Sequence, residues 1–170
     1  MKIYIRNQQR RIKVNTQKTA RLLRKTLNLL QLPRAEISLL FVSDRRMRLL
    51  NHQYRGVDRT TDVLSFPQMG AEELKSRSAE VFSRLRKPLM PGLKPSDIQS
   101  SAFSLLLGDI VINLHKAKRQ ALENSLPFDE ELKRLLIHGL LHLLGYDHEQ
   151  GKHAAGRMQR KSRELFEKLR

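Results

Sequence analysis

LLIHGLLHLLGYDH, residues 135 to 148, decides how this chain must fold. Leu135, Leu136, Ile137, Leu140, Leu141, Leu143 and Leu144 make a helix that is apolar nearly all round, and such a helix has to be enclosed by other elements. On it His138 and His142 lie one turn apart, about 6 Å along the axis and on the same face. Gly145 is placed to end the helix in a left-handed turn, so that Tyr146 and Asp147 carry the chain back and His148 reaches the same point. Imidazoles on an enclosed helix need partners. Three convergent nitrogens with a fourth position open to water form a catalytic rather than a structural metal site.

The spacing H-x-x-x-H-x-x-G-x-x-H is that of the metzincin zinc ligands, with one departure: Gly139 stands where those peptidases carry the glutamate base. Glycine inside a helix costs ~1 kcal/mol relative to alanine, so a packing or functional reason is expected. Close approach of a strand is favoured over room for substrate. Without that glutamate, the metal-bound water acts unaided or Glu149 or Asp147 assists; Asp147 equally suits a turn residue bonding its own backbone. His52, His115 and His153 have no comparable spacing and read as ordinary.

Working outward, Lys2 to Arg6 alternates as a strand, and Arg10 to Val14 reads as its continuation or a second strand. Asn15 or Thr16 caps a helix to about Leu30 with Ala20, Leu23, Leu27 and Leu30 as its stripe. Ile37, Leu39 and Phe41 mark a strand ending at Ser43, which caps a helix with Met47, Leu50 and Tyr54 at helical spacing. RGVDRTT (55–61) is loop, DVLSF (62–66) a short strand stopped by Pro67, and LLLGDIVINL (105–114) a strand pair or one strand broken at Gly108. A helix follows from about His115 to Asn124. Asp129, Glu130 and Glu131 after Pro127 then suit the positive end of the histidine helix. A basic helix, about Lys152 to Leu169, closes the chain. Between these, residues 68–104 read as an insertion with one marginal helix at 71–87. The class is α+β: a small mixed sheet packed with several helices in one domain over 1–170, with a zincin-like metal-binding helix.

Composition narrows function. Lys and Arg number 33 against 17 Asp and Glu, a net charge of +16, which favours polyanionic partners. With no cysteine, disulfides and thiolate zinc sites are excluded, and a metal must take nitrogen and oxygen ligands. The start, MKIYIRNQQRRIKV, lacks a signal peptide's apolar run, and nothing approaches the ~20 apolar residues of a membrane span. A cytoplasmic protein without membrane contact is expected.

HGLLHLLGYDHE (138–149), with YRGVDRTTDVLSFP (54–67) and LLGDIVIN (106–113), resembles the YbeY family of bacterial rRNA maturation factors. The resemblance implies one divalent ion, zinc before others, on His138, His142 and His148. It also implies endoribonuclease activity on single-stranded RNA, processing of the 3′ end of small-subunit rRNA, and ribosome quality control with the small subunit and its assembly factors. Arg55 matches the family's functional arginine; its guanidinium can clamp a phosphate and stabilise the charge of phosphoryl transfer. Two departures stand out. Thr60 replaces the family's usual proline, which is expected to loosen the loop holding Arg55, and the 68–104 stretch is long. That stretch carries Lys75, Arg77, Arg84, Arg86, Lys87 and Lys94, more plainly a solvated loop than an added RNA contact.

Arg10, Arg11 and Lys13 near the start, and Arg157 and Arg160 on the last helix, are the candidate RNA contacts, binding phosphates without reading sequence. With aromatics at 5%, no base-stacking platform is evident. Two rival readings compete: a metallopeptidase, which lacks its base at Gly139, and a non-catalytic ribosome-assembly or RNA-binding factor with a structural metal.

Overall fold

The computed structural model of the protein describes residues 1–68, 105–146 and 151–169. Four strands form its sheet: β1 (Lys2–Asn7), β2 (Ala35–Val42), β3 (Val63–Pro67) and β4 (Leu105–Asn113). Their order is β1-β2-β4-β3. β2 is parallel to both β1 and β4, and β3 returns antiparallel on β4, so the sheet is mixed as expected. The LLLGDIVIN segment is a single strand. Glu36 faces Leu106 and Ile37 faces Gly108, which makes Leu107 the extra residue of a bulge. Gly108 has φ +134°, and a Cβ there would collide with the Phe66 carbonyl.

Two helices leave β1 and β2 toward opposite faces. α1 (Thr16–Leu29) starts at Asn15, whose side-chain oxygen accepts from the Lys18 N–H. It buries Thr19, Leu23, Thr26 and Leu27 rather than the expected stripe through Ala20 and Leu30, both of which stay half-buried. α2 (Asp44–Arg55) packs Met47 and Leu50 with Val42, Leu64 and Val111 on the other face. Tyr54, expected on that apolar stripe, is 58% exposed and meets only the edge of the Phe66 ring, 5.0 Å between centroids.

α3 (Leu114–Glu123) and α4 (Phe128–Leu143) lie on the α1 side, where Ile37, Leu39, Phe41, Ile110, Ile112, Leu136 and Leu140 form the main core. Nine residues of α4 are buried, including Gly139, as its all-round apolar sequence requires. α5 (Lys152–Lys168) docks Met158 and Leu165 on Ile137 and Leu141 of α4. Among the described residues no helix is long and apolar enough to cross a membrane.

Arg10 to Val14 is not a strand. The buried Gln9 side chain closes a loop instead: its amide donates to Ile12 O at 2.8 Å, and its carbonyl accepts from the Ile12 N–H at 2.9 Å. That ring satisfies polar groups which a strand would have left to a ladder partner. The expected insertion and its helix lie, apart from Gln68, outside the described residues.

Candidate metal centre

Gly139 explains how the histidine helix is seated. A Cβ there would stand 2.9 Å from Ile110 Cγ2 and 3.2 Å from Val63 Cγ2, and the Ser65 hydroxyl donates to Gly139 O at 3.1 Å. The helix therefore lies directly on β3 and β4 where it has no side chain, which is the packing reason anticipated. A glutamate at this position would point into the sheet, not toward a ligand.

Directly before that contact and one turn after it, His138 and His142 are half-buried. Their rings are 4.6 Å apart and edge to face, with Nε2 atoms separated by 3.1 Å. Two imidazoles bound to one tetrahedral ion at ordinary Zn–N lengths hold their nitrogens about 3.3 Å apart, so this donor pair fits a divalent ion. The helix ends as foreseen: Gly145, at φ +79°, donates to His142 O at 3.0 Å, and Tyr146 donates to Leu141 O at 3.0 Å, a left-handed cap that turns the chain. His148, Asp147 and Glu149 lie outside the described residues, and among the described ones no set of three metal-binding side chains meets.

A cleft of about 650 Å3 opens beside His138, between α4 and α5, lined in part by Asp62, Arg134, Gln159, Ser162 and Arg163. Asp62 and Arg134 were not among the candidates the sequence offered, although Arg134 stands one helical turn before His138, a spacing open to inspection; Arg163 belongs to the basic last helix already read as phosphate-binding. Burial opposes ionisation of Asp62, but hydrogen bonds from Gln120 at 2.8 Å and Thr61 at 3.0 Å keep its carboxyl below the usual range. Glu131, buried nearby at the start of α4, is pushed up by desolvation, and its Oε2 has no partner among the described residues.

Arg55 is the last residue of α2, before Gly56 at φ +69°. It is exposed and makes no hydrogen bond or ion pair among the described residues. α2 and α4 pack on opposite faces of the sheet, and no hydrogen bond joins Arg55 to the histidine pair among the described residues. The loop after Arg55 is firmly held: Arg48 grips Asp58 with two bonds of 2.6 Å, and Asn51 donates to Arg59 O at 2.7 Å. Thr60 does not loosen it. Its hydroxyl accepts from Asn113 Nδ2 at 2.9 Å, in a cluster that also binds Asp44 Oδ1 and Thr61 O.

The candidate RNA contacts fall on separate elements. Arg10, Arg11 and Lys13 are exposed on the loop after β1, and Arg157 and Arg160 are exposed on α5.

The chain matches the family model described as Endoribonuclease YbeY over residues 4–170. It is 36% identical over 169 residues to Endoribonuclease YbeY of Syntrophotalea carbinolica, covering 99% of this chain and 95% of that protein. It is 36% identical over 167 residues to the protein of the same name from Syntrophus aciditrophicus, with 98% and 88% covered. The solution structure of TM1509 from Thermotoga maritima superposes with a TM-score of 0.61 over 98% of this chain and 88% of that one, at 24% identity, and so shares the fold.

Proposed function

This chain belongs to the YbeY family and is an endoribonuclease; on that premise we propose that it cleaves single-stranded RNA with a divalent ion, zinc before others, held by His138, His142 and His148. The reading extends to maturation of the 3′ end of small-subunit rRNA and to ribosome quality control in the cytoplasm, with the small subunit and its assembly factors as partners. The observation that carries the metal is the Nε2 pair 3.1 Å apart on one face of α4.

When bound, the ion supplies a water of lowered pKa and polarises a phosphoryl oxygen. The protein does the rest. The helix seat at Gly139 fixes the two imidazoles, so that their nitrogens need little reorganisation to act together. Arg55, at the end of α2 just before the clamped loop, offers a forked donor set to the non-bridging oxygens of the phosphodiester. With glycine in place of the peptidase glutamate, no side chain of α4 at that position draws a proton from the nucleophile, which disfavours peptide hydrolysis.

The test compares metal content and cleavage in the wild type and His142→Ala. About one equivalent of metal should accompany wild type purified without added metal, and His142→Ala should lose that metal and at least ~100-fold of its rate on single-stranded RNA. RNA cleavage undiminished in His142→Ala defeats the metal mechanism, while cleavage of an unstructured peptide restores the peptidase rival.

A further inference from the structure

A second concavity, of about 530 Å3, opens at the carboxyl ends of the parallel strands, where Arg10, Arg11, Arg45 and His115 surround Gln9 and Asp44. Its place follows from topology. The chain leaves β1 for α1 on one face and leaves β2 for α2 on the other, so neighbouring strands part in opposite directions. Crevices at such switch points are where open sheets with parallel strands take ligands.

The charge there is unbalanced by construction. Asp44, the crevice's carboxylate, is already engaged: Arg119 binds both its oxygens at 2.8 Å, Asn113 Nδ2 adds a bond of 2.8 Å, and His115 Nδ1 stands 3.6 Å away. Arg10, Arg11 and Arg45 are exposed and form no ion pair or hydrogen bond among the described residues. The loop presenting the first two is held by the buried Gln9 ring and by Gln8 N–H donating to Phe41 O at 2.9 Å, which fastens it to β2. Ser43 begins α2 without its hydroxyl closing the cap, leaving first-turn N–H groups to face the same space. Like charges gathered on a fixed loop repel one another unless an anion lies between them.

We propose that this arginine crevice is a second RNA-binding site, holding backbone phosphates of the substrate strand away from the bond that is cut. Its occupant is set by the endoribonuclease reading, on which the proposal rests, and by the guanidinium fork, which matches phosphate. The crevice lies between β1 and β2, whereas the histidine helix rests on β3 and β4, on the order of 10 Å across the sheet. A dinucleotide bound at the histidines does not span that distance; a long strand does.

Two variants of equal charge separate this from general electrostatics: Arg10→Ala/Arg11→Ala/Arg45→Ala in the crevice, and Arg21→Ala/Arg24→Ala/Lys25→Ala on the exposed side of α1. Binding of labelled single-stranded RNA of about 30 nucleotides and of a dinucleotide is followed by anisotropy over a salt series, with thermal melts confirming that both variants fold. The crevice variant should lose about tenfold affinity for the long RNA, lower its salt slope by about two to three, and leave the short RNA little changed. The α1 variant should lose much less on either RNA. Unchanged long-RNA affinity in the crevice variant, equal loss on both lengths, or equal loss in both variants overturns the proposal. Should wild type cleave no RNA, the nuclease reading fails by itself, and the binding contrast still decides the crevice.

Discussion

Gly139 shows how much one missing side chain can determine. Alanine would improve helix propensity by ~1 kcal/mol, but its methyl would press on Ile110 Cγ2 at 2.9 Å and Val63 Cγ2 at 3.2 Å. Both are branched core carbons with little room to move, and overpacking of this kind costs about 1–3 kcal/mol. Gly139→Ala should therefore be less stable by roughly 1 kcal/mol, lowering the melting temperature by about 2–4 °C. A rise in melting temperature would mean that the sheet yields. Gly139→Glu, which completes the peptidase motif, should fold poorly and gain no peptidase activity. The histidine spacing and the glycine itself were legible in the sequence. The reason for the glycine was a choice between two, because Ile110 and Val63 are distant in the chain and only the sheet brings them beneath α4. Asp62 beside His138 was hidden for the same cause: nothing local ties residue 62 to residue 138.

At the level of elements, Asn113 joins more parts than any other side chain described here. It is wholly buried; its oxygen caps α3 through the N–H groups of His115 and Lys116 at 3.1 and 3.3 Å, while its Nδ2 binds Asp44, Thr60 and Thr61. Asn113→Ala should destabilise the protein by roughly 2–4 kcal/mol, read by urea unfolding, since it removes a cap and strands buried partners. Asp44, in the same cluster, is held at about 2, chiefly by the Arg119 hydrogen bonds. A carboxyl depressed in the folded state stabilises it above the ordinary value near 4, and that contribution disappears as pH falls toward 2. Arg119→Ala should therefore flatten the loss of stability between pH 4 and 2; an unaltered slope would show that this half-exposed pair contributes nothing. Alternation and capping residues revealed most elements, from Asn15 to the acidic start of α4. They failed where a side chain substituted for the backbone, as Gln9 does over Arg10 to Val14, and at Tyr54, whose helical position faces outward because Phe66 offers only a ring edge. The order and direction of the strands depend on crossings that no local pattern encodes.

The net charge of +16 was evident from composition, but not its distribution. Arg48 is spent on Asp58, Arg119 on Asp44, Lys18 on Asp129, and Lys161 and Lys168 on Glu164. Among the exposed cations that form no ion pair in the described residues, Arg10 and Arg11 after β1 and Arg45 at the head of α2 lie more than thirty residues apart in the chain and come together only because β1 and β2 align. RNA affinity should accordingly fall at least about tenfold between 50 and 200 mM salt, measured by anisotropy; a flat response would mean that apolar or specific contacts dominate. The same cations bear on the margin of the sheet. β1 hydrogen-bonds to β2 on one side only among the described residues, and Lys2, Tyr4 and Arg6 are exposed along it. An open strand of this kind invites pairing with its counterpart on another molecule, and flanking cations discourage it. Screening them weakens that protection, so the salt that strips RNA from the protein also brings it closer to joining copies of itself edge to edge.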